Sequence, residues 1–195
     1  MQNKILATLL TLCVLMIPVN IAVDSYALDK NVETINKHVE VVVDDIPEPE
    51  PEPEPTYVEY AVPKNKGFKS YMSYKCITSK SSPQYILQRD RAYTGTYGIR
   101  QVDGRYCVAV GSYFTKEIGT LIDLVLENGT IIPCIVADQK ADIDTDSQNI
   151  MTTHNGCVSE FVVDTKVLVR MAKRMGDISY CDASWNSPVK TIRVY

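Results

Sequence analysis

The pattern of apolar and polar residues predicts a chain built mainly from short strands. Residues 68–74 alternate apolar and polar side chains with the period of two that is typical of a half-buried strand. Farther along, apolar runs of strand length are separated by turn residues, and Asn128-Gly129 is a strong hairpin signal between two of them. The further strands are predicted at 107–110, 121–127, 130–137, 158–163 and 189–194.

Two segments have helical patterns. Ser82 can cap a helix that begins at Pro83 and ends at Arg91, with Tyr85, Ile86 and Arg89 turned inward. Residues 165–175 predict a second helix that Gly176 terminates. Six short strands with one or two short helices indicate a mainly β fold, a small closed or nearly closed barrel, and not a doubly wound sheet.

The N-terminus has the pattern of an export signal. Lys4 is followed by an apolar run, and Ser25-Tyr26-Ala27 offers the small residues that a signal peptidase reads, so we predict a signal peptide at 1–27. The alternative is an uncleaved anchor, because residues 5–23 could just span a bilayer. Either way we expect a protein that is secreted or held at the cell envelope, with a membrane contact only if the segment stays uncleaved.

Residues 28–56 have little to bury. The alternating prolines and glutamates of 47–55 lack every second amide hydrogen, which excludes a helix or a central strand and favours extended polyproline II. We therefore predict a disordered Pro/Glu spacer at 28–56 and a single globular domain at 57–195.

Charge divides the chain in the same place. The formal net charge is -4, but residues 1–56 carry ten acidic and three basic side chains, whereas residues 57–195 carry fourteen acidic and seventeen basic ones. The domain is weakly basic, which suits anionic wall polymers or glycans, and it has no dense Lys/Arg stripe. We expect no nucleic-acid partner.

Two apolar runs end in an acid, one at Asp138 and one at Asp164. A buried strand that delivers a carboxyl to a cleft of low polarity raises the pKa of that carboxyl, as a general acid requires near neutral pH. The alternative is that these aspartates simply form turns.

Four short pieces resemble one known family when they are taken in order: Val108-Ala109-Val110, Ile118-Gly119-Thr120, Val136-Ala137-Asp138 and Val162-Val163-Asp164. Together they resemble the "3D" or three-aspartate domain, which is similar to the barrel of membrane-bound lytic transglycosylase A and of rare lipoprotein A. The resemblance covers residues 106–166. It implies a six-stranded double-psi β-barrel in a secreted cell-wall enzyme that cleaves peptidoglycan glycan strands without a cofactor.

The resemblance also implies roles for the two acids. Asp164 matches the catalytic aspartate, which would protonate the oxygen between MurNAc and GlcNAc and then take a proton from the MurNAc 6-hydroxyl, as in a lytic transglycosylase. Asp138 matches the second aspartate and would orient the substrate or raise the pKa of Asp164 by proximity. We assign substrate binding to Thr120, Lys140 and His154.

The chain departs from the family pattern at two places. Gly111 stands where the first of the three aspartates belongs, and residues 139–155 form an insertion where the family has a short connection. The second hypothesis is therefore a catalytically inactive glycan-binding or envelope scaffold module that kept the barrel.

Two further constellations concern metals and thiols. Asp142, Asp144 and Asp146 alternate as in an EF-hand loop, but Ser147 replaces its glycine, so we predict no metal and keep these three as the only candidate ligands. His154 and Cys157 resemble the Cys motif of L,D-transpeptidases without its arginine, which makes Cys157 the nucleophile of a third hypothesis.

Five cysteines follow the predicted signal peptide, at 76, 107, 134, 157 and 181. Their number is odd, so at least one stays free. Disulfides between Cys134 and Cys157 and between Cys76 and Cys181 are two options, and the sequence does not choose among connectivities.

Overall fold

The computed structural model describes residues 56–195. The predicted signal peptide and all but the last residue of the predicted spacer lie outside the described residues. Within 56–195, no helix is both long enough and apolar enough to cross a membrane.

The described residues are mainly β, as predicted. They form nine strands and two α-helices, with five short 3-10 turns between them. The strands are β1 Val58–Ala61, β2 Ser70–Ser73, β3 Tyr93–Thr94, β4 Arg100–Val102, β5 Arg105–Val110, β6 Leu121–Leu126, β7 Ile131–Gln139, β8 Glu160–Val163 and β9 Val189–Val194. The helices are α1 Pro83–Asp90 and α2 Arg170–Met175.

The strands pair in the order β1-β9-β6-β7-β5-β4-β3. Outside this order, β8 pairs with β5, and β2 pairs with β8. No pairing among the described residues joins the ends of this path, so the sheet is not closed, and it has nine strands where we expected six. The additional strands are β1, which extends the sheet beyond β9, and the short β3 and β4, which extend it beyond β5.

Strand β5 is the centre of the sheet. It is parallel to β7 and antiparallel to β4 and β8, while β2 and β8 form a second parallel pair. Both faces of β5 are covered: Val108 and Val110 belong to a larger core around Phe161 and Trp185, whereas Cys107 belongs to a smaller core under α1. A strand buried on both faces has the continuous apolar run that this one has.

Helix α1 begins as the sequence predicts, since the Ser82 hydroxyl accepts a hydrogen bond from the Tyr85 amide at 3.2 Å. Its buried residues are Leu87 and Gln88, and Ile86 is 42% exposed, so the expected inward face was wrong. Helix α2 is shorter than expected because residues 165–169 first form a turn on the Asp164 carbonyl. It ends at Gly176 in the left-handed conformation, as predicted.

A buried lysine precedes β2. Lys69 is fully buried, and its Nζ donates hydrogen bonds of 2.9 Å each to the carbonyl oxygens of Gly67, Trp185 and Ser187. Burial lowers the pKa of Lys69 to about 8, although Asp177 and Cys157 partly oppose the shift. This amine therefore ties the segment before β2 to the segment before β9.

Candidate active site

A row of paired residues crosses four neighbouring strands. Asp138 on β7 pairs with Ala109 on β5, Ala109 pairs with Glu160 on β8, and Glu160 pairs with Ser70 on β2. Side chains of directly paired residues leave a sheet on the same face. The two carboxyl groups therefore flank the small Ala109, on the face that also carries the smaller core.

Strand spacing sets the distance between these two acids. Neighbouring strands lie about 4.8 Å apart, so two spacings place the Cα atoms of Asp138 and Glu160 about 10 Å apart. A bulge between Val108 and Ala109 makes this row possible, because it skips Ala137 and brings Asp138 into register with Ala109.

A cleft of about 460 Å³ opens at the end of this row that Glu160 and Ser70 form, and Asp138 is not in its lining. It is formed by the end of β7, the start of β8 and the insertion that joins them. Its lining residues are Ser70, Gln139, Lys140, Ala141, Asp144, Thr152, His154, Asn155 and Glu160. The cleft thus contains two of the three predicted substrate-binding residues, Lys140 and His154.

Lys140 is the most buried polar residue of the cleft, at 7% exposure. Its Nζ donates to the Thr152 hydroxyl at 2.6 Å and to the Cys157 carbonyl at 3.0 Å. The third N–H of this ammonium has no acceptor within residues 56–195. None of the four ion pairs in the described part of the chain includes Lys140.

Asp138 is half-buried at the end of β7. Burial raises the pKa of the Asp138 carboxyl, while hydrogen bonds from the Gln139 amide, at 2.9 Å, and from the Gln84 side chain oppose the rise. A raised carboxyl pKa keeps more of the acid protonated, as general acid catalysis requires.

Asp164 lies at the other end of β8. Because β8 is antiparallel to β5, with Phe161 opposite Val108, Asp164 falls level with Arg105 and not with Ala109. At about 3.3 Å per residue this is roughly 13 Å along the strand from the level of Asp138. The Asp164 carboxylate accepts a hydrogen bond from the Lys166 amide at 3.0 Å, so it forms a turn.

The expected cooperation between Asp138 and Asp164 depended on their meeting, and the strand direction separates them. The acid that does face Asp138 across β5 is Glu160, which we did not predict. The alternation of β8 offered a signal, since Glu160 and Val162 share one face of that strand.

Gly111 and the insertion are in direct contact. A Cβ atom at Gly111 would lie 1.8 Å from the Asn149 carbonyl oxygen and 2.8 Å from its carbon. The Tyr113 amide also donates to this carbonyl oxygen, at 3.4 Å. Residues 139–155 therefore occupy the space that any side chain at position 111 would need.

A second cavity of about 390 Å³ continues the cleft. The two cavities share Gln139, Lys140 and Ala141, so both lie against the end of β7, and together they are called the groove. Thr120 is not part of either lining. Its hydroxyl donates to the Glu117 carbonyl at 2.9 Å.

The thiol of Cys157 is not in the groove. Cys157 is completely buried, and its Sγ donates to the Ser159 carbonyl at 2.8 Å and contacts the Ser70 hydroxyl at 3.1 Å. His154 is exposed, and no hydrogen bond joins it to Cys157 within the described residues. All five cysteines of residues 56–195 are unbonded, so neither expected disulfide is present.

The three alternating aspartates do not converge. Asp142 accepts a hydrogen bond from the Ser112 hydroxyl at 2.6 Å, while the Asp146 carboxylate accepts the amides of Gln148 and Ile150. Asp144 alone lines the cleft. In residues 56–195 no group of three His, Cys, Asp or Glu side chains is arranged to hold a metal ion.

Comparison with known proteins gives no family assignment: no family model, no curated protein and no solved structure matches the chain.

Proposed function

We propose that the protein is a glycan-cleaving enzyme that acts on peptidoglycan strands, with Asp138 as its general acid. The observation that carries the proposal is the groove at the end of β7, which Gln139 and Lys140 line directly after the half-buried Asp138, whose carboxyl pKa is raised by burial. Lys140, His154 and Asn155 supply the polar groups that sugar hydroxyls bind. Two neighbouring cavities of about 460 and 390 Å³ offer room for more than one sugar of a polymer.

The substrate class rests on the resemblance of four motif pieces to the three-aspartate family. The two parallel pairs, β5 with β7 and β2 with β8, support the further proposal that the sheet is an enlarged variant of the double-psi barrel. Export to the cell envelope is proposed from the apolar pattern of residues 1–27 alone.

The chemistry begins with proton transfer. Protonated Asp138 donates to the glycosidic oxygen between MurNAc and GlcNAc, and the bond from that oxygen to the anomeric carbon breaks as the alcohol leaves. The 6-hydroxyl oxygen of the MurNAc then bonds to the anomeric carbon, and its proton returns to the Asp138 carboxylate. This assigns to Asp138 the role that the family resemblance implied for Asp164, because Asp138 directly precedes Gln139 and Lys140, which line the groove, whereas Asp164 lies at the other end of β8.

The second candidate function is a binding module without catalysis. The observation in its favour is Gly111, where the insertion leaves no space for the first aspartate. Such a module would use the same groove and the same polar groups.

Digestion of purified peptidoglycan with the full chain tests both candidates. We expect soluble muropeptides in mass spectrometry, loss of activity in Asp138→Asn, and normal activity in the matched control Glu127→Gln, which alters an exposed residue after β6. A protein that releases nothing but sediments with insoluble wall is the binding module. If Asp164→Asn is inactive and Asp138→Asn is active, the assignment of the acid is wrong.

A further inference from the structure

Another cavity, which we call the α1 cavity, lies between α1 and the segment that follows β2. Its volume is about 500 Å³, and it shares no lining residue with the two cavities of the groove. A volume of this size is typical of sites that bind small molecules. The lining residues of the α1 cavity are Tyr74, Lys75, Ile77, Thr78, Lys80, Tyr85, Gln88 and Arg89.

The α1 cavity has apolar walls and a cationic rim. The residues that form the apolar walls are Tyr74, Ile77 and Tyr85, each of them half-buried. The charged residues of the lining are Lys75, Lys80 and Arg89, and no acidic residue of the described chain belongs to it. Arg89 is paired with Asp90, whereas neither lysine belongs to an ion pair within residues 56–195. Both ammonium groups are therefore available to an anion.

A buried cation lies directly behind the wall of the α1 cavity. Arg100 is 9% exposed, and its Cζ lies 4.7 Å from the centroid of the Tyr74 ring. Its guanidinium donates only to neutral acceptors, namely both oxygens of Gln88, the Ala92 carbonyl and the Thr94 hydroxyl. None of the ion pairs in the described part of the chain includes Arg100. Buried arginines normally have an acidic partner, so this uncompensated charge favours an anion in the neighbouring cavity.

We propose that the α1 cavity binds a small aromatic carboxylate. The aromatic body packs against the rings of Tyr74 and Tyr85. The carboxylate lies at the rim, where Lys75 and Lys80 supply ammonium groups and the charge of Arg100 adds to the positive potential. The Lys75 Nζ is 6.0 Å from the centroid of the Tyr74 ring, so one ligand can contact both side chains. This binding site goes beyond the proposed glycan cleavage and does not depend on it.

Calorimetric titration of the full chain with naphthoate and with naphthamide tests the need for a charge. The two probes have the same ring system, and only naphthoate is an anion. We expect naphthoate to bind about 10-fold more tightly, and its affinity to decrease as salt screens the attraction. Equal affinities for the two probes overturn the proposal, and so does the absence of naphthoate binding.

Charge variants test whether the rim holds the carboxylate. The double variant with Lys75→Gln and Lys80→Gln should bind naphthoate about 10-fold more weakly and leave the affinity for naphthamide unchanged. The matched control combines Lys64→Gln with Lys66→Gln, which also removes two exposed lysines. If the control weakens naphthoate binding as much as the rim variant does, the carboxylate binds elsewhere and the proposal is wrong.

A ring variant tests the walls. Tyr85→Leu should weaken the binding of both probes, because the aromatic body loses one of its two rings. Tyr93→Leu is the matched control, since Tyr93 is an exposed tyrosine on β3 outside the lining. Circular dichroism checks that each variant is folded. A folded Tyr85→Leu protein that binds both probes with the affinity of the wild type overturns the proposal.

Discussion

Replacing Lys69 by methionine should destabilise the protein by an amount that increases with pH. Methionine has a similar length but no donor, so three carbonyl groups each lose one hydrogen bond, although Gly67 keeps that from the Ser179 hydroxyl and Trp185 keeps that from the Ser187 amide. At about 1 kcal/mol for each lost hydrogen bond, the loss is about 3 kcal/mol. The opposing contribution is the burial of the ammonium, which lowers the pKa from 10.5 to about 8. At about 1.4 kcal/mol per pKa unit, holding the charge in the folded protein costs roughly 3 kcal/mol.

These two contributions nearly cancel at neutral pH, where we expect Lys69→Met to be almost as stable as the wild type. The pKa of Lys69 is lower in the folded protein than in the unfolded chain, so the unfolded chain binds more protons between the two values. The stability that Lys69 contributes therefore rises as the pH rises from about 8 towards 10.5. Between pH 7 and pH 9.5 the destabilisation by Lys69→Met should grow by about 2 kcal/mol.

Urea unfolding at both pH values, with a reductant present, measures this difference. Other groups that titrate in this range are present in both proteins and cancel in the comparison. Lys190→Met is the matched control, since Lys190 lies on β9 with an exposed side chain. A loss that is the same at the two pH values, or smaller at pH 9.5, would refute the argument.

Three further outcomes follow from the contacts of the site. Gly111→Ala should lower the free energy of unfolding by about 1–3 kcal/mol or more, because its Cβ meets the backbone carbonyl of Asn149. Gly95→Ala is the control, since the nearest atoms to its Cβ belong to a glutamine side chain. An equal decrease in the melting temperature of both variants would contradict this prediction. Asp138→Asn should raise the stability near pH 7 and leave it unchanged well below the pKa of an ordinary aspartate. The reason is that burial raises the pKa of Asp138, so the folded protein disfavours the ionised carboxylate that is present at neutral pH. A lower melting temperature of the variant at pH 7 would contradict this prediction. In the native protein, an alkylating reagent should modify the exposed Cys76 long before the buried Cys157 and should spare the cleavage activity; fast labelling of Cys157 in mass spectrometry with loss of activity would favour the transpeptidase hypothesis.

Local features of the fold could be predicted from the sequence because they depend on neighbouring residues. Ser82 and Pro83 fix the start of α1, Asn128-Gly129 fixes the hairpin between β6 and β7, and β9 has the predicted bounds. The branch at β5 could not be predicted, since three strands compete for one partner and their registers depend on contacts far apart along the chain.

The candidate site illustrates the same limit. The sequence places acids at the ends of two apolar runs, and it is reasonable to expect both ends at one cleft. The strand directions contradict this expectation. Strands β5 and β7 are parallel, but β8 is antiparallel to β5, so Glu160 at the start of β8 lies level with Asp138, and Asp164 after its end does not. An apolar run carries no information about its direction in the sheet, which is why Glu160 was missed and Asp164 was chosen.

The pairing of distant strands also constrains how the chain folds. Val58 pairs with Val194 and Ser70 with Glu160, so the pair of β1 with β9 and the pair of β2 with β8 each join segments that are far apart along the chain. Folds dominated by such distant pairings form slowly, on the scale of milliseconds to seconds, because loop-closure entropy is lost before the contacts compensate for it. Cys107, Cys134 and Cys157 are buried only once these strands have met. The slow assembly of the sheet therefore sets the interval during which three core thiols remain open to oxidation.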